Sequence, residues 1–255
     1  MTRGVVAVAL ALLSVAVALA LLFVAVALAS PVPTASTAAP QPPPASESLL
    51  VAMGAVTYVR DGGSGGGTTV FHFDDSYTYS YTYTYRRAGD SLSYTFLPHV
   101  SATVVLRHDV HLPREGSDSL AWFQRLRRHE LDHVALSTDE RPALLFRWLV
   151  AHVPPLSRTA VAGAAAGDVA GSAIKEAVDE RHAAVVRLIQ RAYDRLDADT
   201  KHGVVGITDR DVYFGRFYSR SDLVDAEFPW AAEVESLAVS PRYVHALRGR
   251  WDAGR

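Results

Sequence analysis

Arg127-Arg128-His129-Glu130-Leu131-Asp132-His133-Val134 decides how this chain is read. Two histidines four residues apart on an α-helix leave from one face, one turn apart. Both imidazoles then reach a single Zn²⁺ at about 2.0–2.1 Å. Glu130, beside the first histidine, is placed to act as general base on a water that the metal activates. With 10 His and 9 Glu in 255 residues, chance supplies this spacing only about 0.01 times per chain. The motif therefore carries weight.

Its surroundings predict the helix. Leu112-Pro113 to Gly116 reads as a turn, and Asp118 or Ser119 as an N-cap. Leu120, Trp122, Phe123, Leu126, His129, His133 and Leu136 then form one stripe, so the histidines extend an apolar face. That suits a metal site, which needs an ordered, dry surround. Arg125, Arg127 and Arg128 read as a solvated face, with a contact to a substrate carboxylate as the alternative.

The bulk composition narrows the chemistry. A net charge of −2 points to no nucleic-acid partner. With no Cys, disulfides, thiolate nucleophiles and Cys-type zinc sites are excluded together, and any metal must be held by His and carboxylates. Val5 to Ala29 is apolar apart from Ser14, with Arg3 ahead of it. About 25 residues at 1.5 Å each cross a bilayer core of about 30 Å. The run is longer than an ordinary signal-peptide core, and Ala27-Leu28-Ala29 also suits cleavage, so signal anchor and signal peptide both stand. Ser30 to Ser48, rich in Pro, Ala, Ser and Thr, reads as an extended spacer.

Residues 49–113 read as strands. Val56 to Arg60 and Thr69 to Phe73 flank Asp61-Gly62-Gly63-Ser64-Gly65-Gly66-Gly67, a hairpin-like connection. Tyr77, Tyr79, Tyr81, Tyr83 and Tyr85 alternate with Ser and Thr, which puts five rings on one strand face. Those rings are either an aromatic platform for an extended substrate or a face packed on helices, and the pattern favours packing. A strand near Val100 to Leu106 precedes His108 and His111, which read as surface residues rather than ligands. Asp139 to Val153 reads as a helix stopped by Pro154-Pro155. After a small-residue loop, Ala160 to Gly171, a long helix runs over about Ser172–Ala198, with a spine of Ile174, Val178, Val185, Leu188, Ile189 and Ala192. Beyond Gly203, Val204 to Phe217 reads as a strand pair and Asp222 to Leu247 as a last helix.

A catalytic zinc takes three protein ligands and keeps one position open. Glu176, Glu180, His182 and His202 are the candidates downstream of the motif. Glu176 and Glu180 have the i, i+4 spacing of a second ligand helix, although they also fit a solvated face with Lys175, Asp179 and Arg181. His202 follows the end of the long helix, where Gly203 suits a C-cap and Asp197 or Asp199 can accept from the second ring nitrogen. The ligand set expected is His129, His133 and His202, with Glu176 as first substitute.

The helical half also resembles a family of predicted secreted zinc-dependent proteases of bacteria. Three features carry the likeness: a Tyr/Thr-rich strand region ending in Leu112-Pro113, a Trp-containing helix from Trp122 to His133, and an Asp-x-x-Thr-x-His-Gly signature at Asp197 to Gly203. Together they cover about Tyr77 to Gly203. Leu196 and Asp132 stand where the family commonly has Tyr and Gly. Together the residue readings give an α+β fold: an N-terminal membrane-spanning helix, a small antiparallel sheet, then a helical zincin-like core that the resemblance implies is a metalloprotease. The expected divisions are 1–29 signal anchor or signal peptide, 30–48 linker, 49–113 β-rich, 114–205 helical and zinc-binding, and 206–255 a C-terminal extension.

The expected function is an exported zinc metallopeptidase that cleaves a peptide or protein substrate with Glu130 as general base. A cell-wall amidase uses the same chemistry, and a non-catalytic exported binding module would use the tyrosine face without metal. The expected location is the cell membrane, with the domain outside the cytoplasm, or the medium after secretion. Protease added to intact cells should degrade residues 31–255 of an anchored chain; recovery of the full-length protein from soluble cytosol would refute export.

Overall fold

Period-two alternation from Tyr77 to Tyr85 lies within a 21-residue strand at the edge of the sheet. The computed structural model describes residues 51, 55–61, 66–113 and 120–245, all in one compact unit, Pro43–Arg255. Strand β1 spans Val56–Asp61, β2 Thr68–Ala88 and β3 Ser91–Pro113. A two-residue turn at Gly89-Asp90 folds β2 onto β3 antiparallel along its whole length, from Ala88↔Ser91 to Thr68↔His111.

The sheet differs from the expected small antiparallel one. Its order is β1-β3-β2, with β1 parallel to β3 and β4 (Leu156–Val161) antiparallel to the start of β3. The physical reason is the length of the hairpin. β3 occupies one entire edge of β2, so β1 takes the far edge of β3, and the glycine-rich stretch is not a hairpin turn. β4 falls in the stretch expected to lead into a loop, where its alternation is short and weak.

The expected membrane-spanning helix has no counterpart among the described residues. No helix among the described residues is long and apolar enough to cross a membrane. The longest, at 35 residues, exposes Lys175, Glu176, Asp179 and Glu180 on one side. Val5–Ala29 and the linker lie outside the described residues.

Helices α1 (Leu120–Ser137), α2 (Glu140–Ala151) and α3 (Ala166–Thr200) cover one face of the sheet. That face carries Phe71 and Phe73 from β2 and Tyr94, Phe96, Val100, His108 and Val110 from β3. The other face, with Thr78, Ser80, Thr82 and Thr84, is exposed. The tyrosine rings stand 6.2–6.5 Å apart in a ladder. Tyr77 and Tyr81 pack against the helical layer, whereas Tyr83 and Tyr85 are exposed and lie tilted against Tyr94. The predicted spine of α3 is buried throughout. Each Ile, Val or Leu of that spine contributes about 1.5–3 kcal/mol on burial.

Residues 206–245 depart from the expected strand pair and long helix. Among the described residues they form four short helices, α4 (Arg210–Gly215), α5 (Arg220–Asp225), α6 (Glu235–Ala238) and α7 (Pro241–His245). Polar contacts hold them to the core: Tyr218 Oη donates to the Leu136 carbonyl, Tyr243 Oη to the Tyr218 carbonyl, and Arg141 to the Phe214 carbonyl. Arg181 lies 4.9 Å over the Trp230 ring. Local sequence patterns cannot announce such an arrangement, because its partners lie tens of residues away.

His108 is buried rather than exposed, with Nδ1 2.8 Å from the Ala55 carbonyl and Nε2 2.6 Å from Ser137 Oγ. Ser137 Oγ also meets Tyr193 Oη at 2.8 Å, so one chain of hydrogen bonds ties β3, α1 and α3 together. Burial pushes the His108 imidazole down to about 4. Between pH 6.5 and about 4 the unfolded chain therefore binds a proton that the folded one refuses. Stability is full above that window and falls through it by about 3 kcal/mol, at 1.36 kcal/mol per unit. Urea unfolding at pH 7 and pH 4.5 should show that loss, and His108→Gln should flatten it.

Candidate metal centre

The site forms where α1 and the last turn of α3 meet. His129, Glu130 and His133 leave α1 as the motif requires, and all are buried. Asp197 comes from the end of α3, at the margin of its buried stripe of Tyr193, Leu196 and Thr200. Asp197 Oδ1 lies 2.9 Å from His129 Nε2 and 3.0 Å from His133 Nε2, and the two nitrogens are 3.3 Å apart. Tetrahedral zinc with bonds near 2.0–2.1 Å separates its ligand atoms by about 3.3–3.4 Å. The three atoms fit that size after a slight opening.

The hydrogen-bond network assigns the tautomer of His129. Thr200 Oγ1 donates to the Leu196 carbonyl at 2.7 Å and accepts from Gly203 N at 3.2 Å. It stands 3.4 Å from His129 Nδ1, which is then the protonated nitrogen. His129 Nε2 is left with a bare lone pair facing a carboxylate oxygen, an arrangement that calls for a cation between them. Burial and the neighbouring His133 hold the His129 imidazole below its ordinary range, which disfavours a proton as that cation. A divalent metal held by two imidazoles and one carboxylate fits the donor set. Burial works to raise Asp197, but the two imidazoles beside it outweigh that and keep its carboxyl below the usual range. His133 Nδ1 is buried without a hydrogen-bond partner, and packing against the Tyr193 ring, 4.5 Å away, orients that imidazole.

Glu130 is placed from both sides. Thr69 Oγ1, on β2, donates to Glu130 Oε2 at 2.8 Å. The Gly67 backbone lies so close that a Cβ there would come within 2.5 Å of Oε1. Burial raises the Glu130 carboxyl, while His133 and the Thr69 hydroxyl counter part of that rise. A carboxyl raised toward neutrality suits proton transfer in either direction. Asp132, on the far side of α1, pairs with Arg210 of α4, so the extension is tied to the motif helix itself.

The remaining candidates sit elsewhere, with one exception. Glu176 pairs with Arg158, and Glu180 is exposed. His182 Nε2 meets the Phe73 carbonyl at 3.0 Å. His202 lies at the mouth of the site, 81% exposed, with Nδ1 3.6 Å from Asp197 Oδ1. The place expected for His202, beside both motif histidines, is thus taken by Asp197. Sequence reasoning gave Asp197 only the role of orienting a ligand. The available signal was its place four residues after Tyr193, on the border of the apolar spine. Comparison with protein-family models, curated proteins and solved structures finds no match for this chain.

Gly203 closes the site from below. Its φ is +80°, and a Cβ would come within 2.7 Å of His129 Cβ. Gly203→Ala should therefore destabilise the fold by about 1–3 kcal/mol through strain and displace His129. Denaturant unfolding measures the first effect and zinc titration the second; unchanged stability together with unchanged zinc affinity would refute this role.

Proposed function

We propose that this protein is a zinc-dependent hydrolase of peptide bonds. The observation that supports this reading best is the convergence of His129 Nε2, His133 Nε2 and Asp197 Oδ1 beside a buried, hydrogen-bonded Glu130. Those three residues would hold the metal, and Glu130, whose spacing from them is that of a base rather than a ligand, would move the proton. The likeness of Tyr77–Gly203 to predicted secreted zinc-dependent proteases supports the choice of peptide bonds.

Zinc bound there would supply Lewis acidity, polarising the scissile carbonyl and acidifying the attacking water. Thr69 holds Oε2 of Glu130, which leaves Oε1 to take the proton over the space that Gly67 keeps clear. Glu130 then returns that proton to the departing amine, a transfer eased by its raised affinity for protons. Burial of His129, His133 and Glu130 excludes competing water and strengthens each electrostatic contact.

The test uses the full chain, with zinc content and cleavage of fluorescein-labelled casein as readouts. Glu130→Gln should retain zinc and lose about 10²–10⁴-fold in kcat. Asp197→Ala should lose zinc and activity together. A zinc-free wild-type protein, or Glu130→Gln with more than about a tenth of wild-type kcat, refutes the assignment.

A further inference from the structure

We propose that His202 is the substrate-contacting residue of this site: it donates a hydrogen bond to the scissile carbonyl oxygen as that oxygen becomes negative. The proposal rests on the hydrolase reading above and adds a group which that reading lacks.

Access is the first observation. His129, Glu130 and His133 are buried and the Asp197 side chain is 31% exposed, whereas the His202 side chain is 81% exposed. Solvent, and hence substrate, meets the site on the His202 side. The ring nevertheless stays close, with Nδ1 3.6 Å from the carboxylate oxygen that binds both motif histidines.

The backbone is the second. Lys201, His202 and Gly203 have φ of 50°, 53° and 80°, three consecutive residues in the left-handed region. Each non-glycine residue there costs about 1–2 kcal/mol. Gly203 is required by its packing under His129. His202 has no such packing need, and its strained conformation is held by its N–H, which donates to the Asp197 carbonyl at 3.0 Å. The residue that supplies a ligand oxygen therefore also fixes the backbone that carries the exposed ring. Strain concentrated beside a site is characteristic of residues positioned for function.

Donor chemistry is the third. Thr69 is engaged with Glu130, Thr200 with Leu196, Tyr193 with Ser137, and Arg210 with Asp132. Among the described residues the His202 ring makes no hydrogen bond, only the 3.6 Å approach of Nδ1 to Asp197 Oδ1, so Nε2 faces no protein partner and can meet an incoming oxygen. In the reaction, water oxygen bonds to the carbonyl carbon, the π pair moves onto the carbonyl oxygen, and the proton goes to Glu130. That oxygen accepts from His202 until the pair returns, the C–N bond breaks, and Glu130 delivers the proton to nitrogen. One water is consumed, and one acid and one amine are formed.

The experiment compares His202→Ala and His202→Gly in the full chain, the glycine variant removing the ring without backbone strain. Zinc per chain, kcat and KM on fluorescein-labelled casein, and binding of a peptidyl phosphoramidate that mimics the tetrahedral oxygens are measured. Both variants should keep zinc, lose about 10²–10³-fold in kcat with little change in KM, and bind the phosphoramidate correspondingly more weakly. Zinc loss like that of His129→Ala would make His202 a ligand and overturn the proposal. So would kcat and phosphoramidate affinity within about threefold of wild type, and in that case the hydrolase reading survives. A zinc-loaded wild-type chain that cleaves nothing overturns both.

Discussion

One carboxylate oxygen holds the two halves of the site together. Asp197 Oδ1 reaches both motif histidines, and through them the end of α3 is locked against α1. Everything local follows from that contact. Thr200, one turn on, turns toward His129 Nδ1, and Gly203 fits beneath the same imidazole because it has no side chain. The signature Asp197-x-x-Thr200-x-His202-Gly203 is thus one device, a helix end shaped to close over an imidazole. A buried polar cluster of this kind is favourable only when its members find partners. Here Thr200 meets His129 Nδ1, while the contact of His129 Nε2 with Asp197 Oδ1 is one that a cation would complete.

The sheet contributes by being asymmetric. One face of β2 and β3 is apolar and aromatic and receives the helices; the other is hydroxylated and exposed. Because side chains alternate strictly along a strand, a slip of one residue would turn the aromatic ladder into solvent. The register that prevents this also sets Thr69 on the helical face, where its hydroxyl meets Glu130. Packing and the placing of Glu130 therefore share one cause. The two tyrosine readings divide along the strand as well, since Tyr77 and Tyr81 pack while Tyr83 and Tyr85 remain exposed.

The C-terminal helices make the motif helix part of a larger unit. Asp132 is buried and raised by that burial, and Arg210 offsets part of the cost. Burying one of these charges without the other would be strongly unfavourable. The acidic residue inside the motif and the basic one 78 positions later stand or fall together. Tyr218 adds a second tie one turn further along α1, at the Leu136 carbonyl, and Arg141 of α2 holds the Phe214 carbonyl.

By itself the sequence determined the elements whose cause is local. Apolar residues at helical spacing mark α1, α2 and the spine of α3, proline stops α2, and Tyr/Thr alternation marks β2. The relative directions of His129, Glu130 and His133 are local too, because a helix fixes them before any tertiary contact forms. Only the tertiary structure decided the rest. Strand order depended on which edge a long hairpin left open. The burial of His108 depended on Ser137 and the Ala55 carbonyl, neither of them near in sequence. The third candidate ligand depended on how far α3 runs before it ends: the helix stays regular through Thr200, so Asp197 faces α1 and His202 is carried to the mouth. Periodicity gives the direction of a side chain from its own axis. Where two axes cross, and so which side chains converge, is settled by packing.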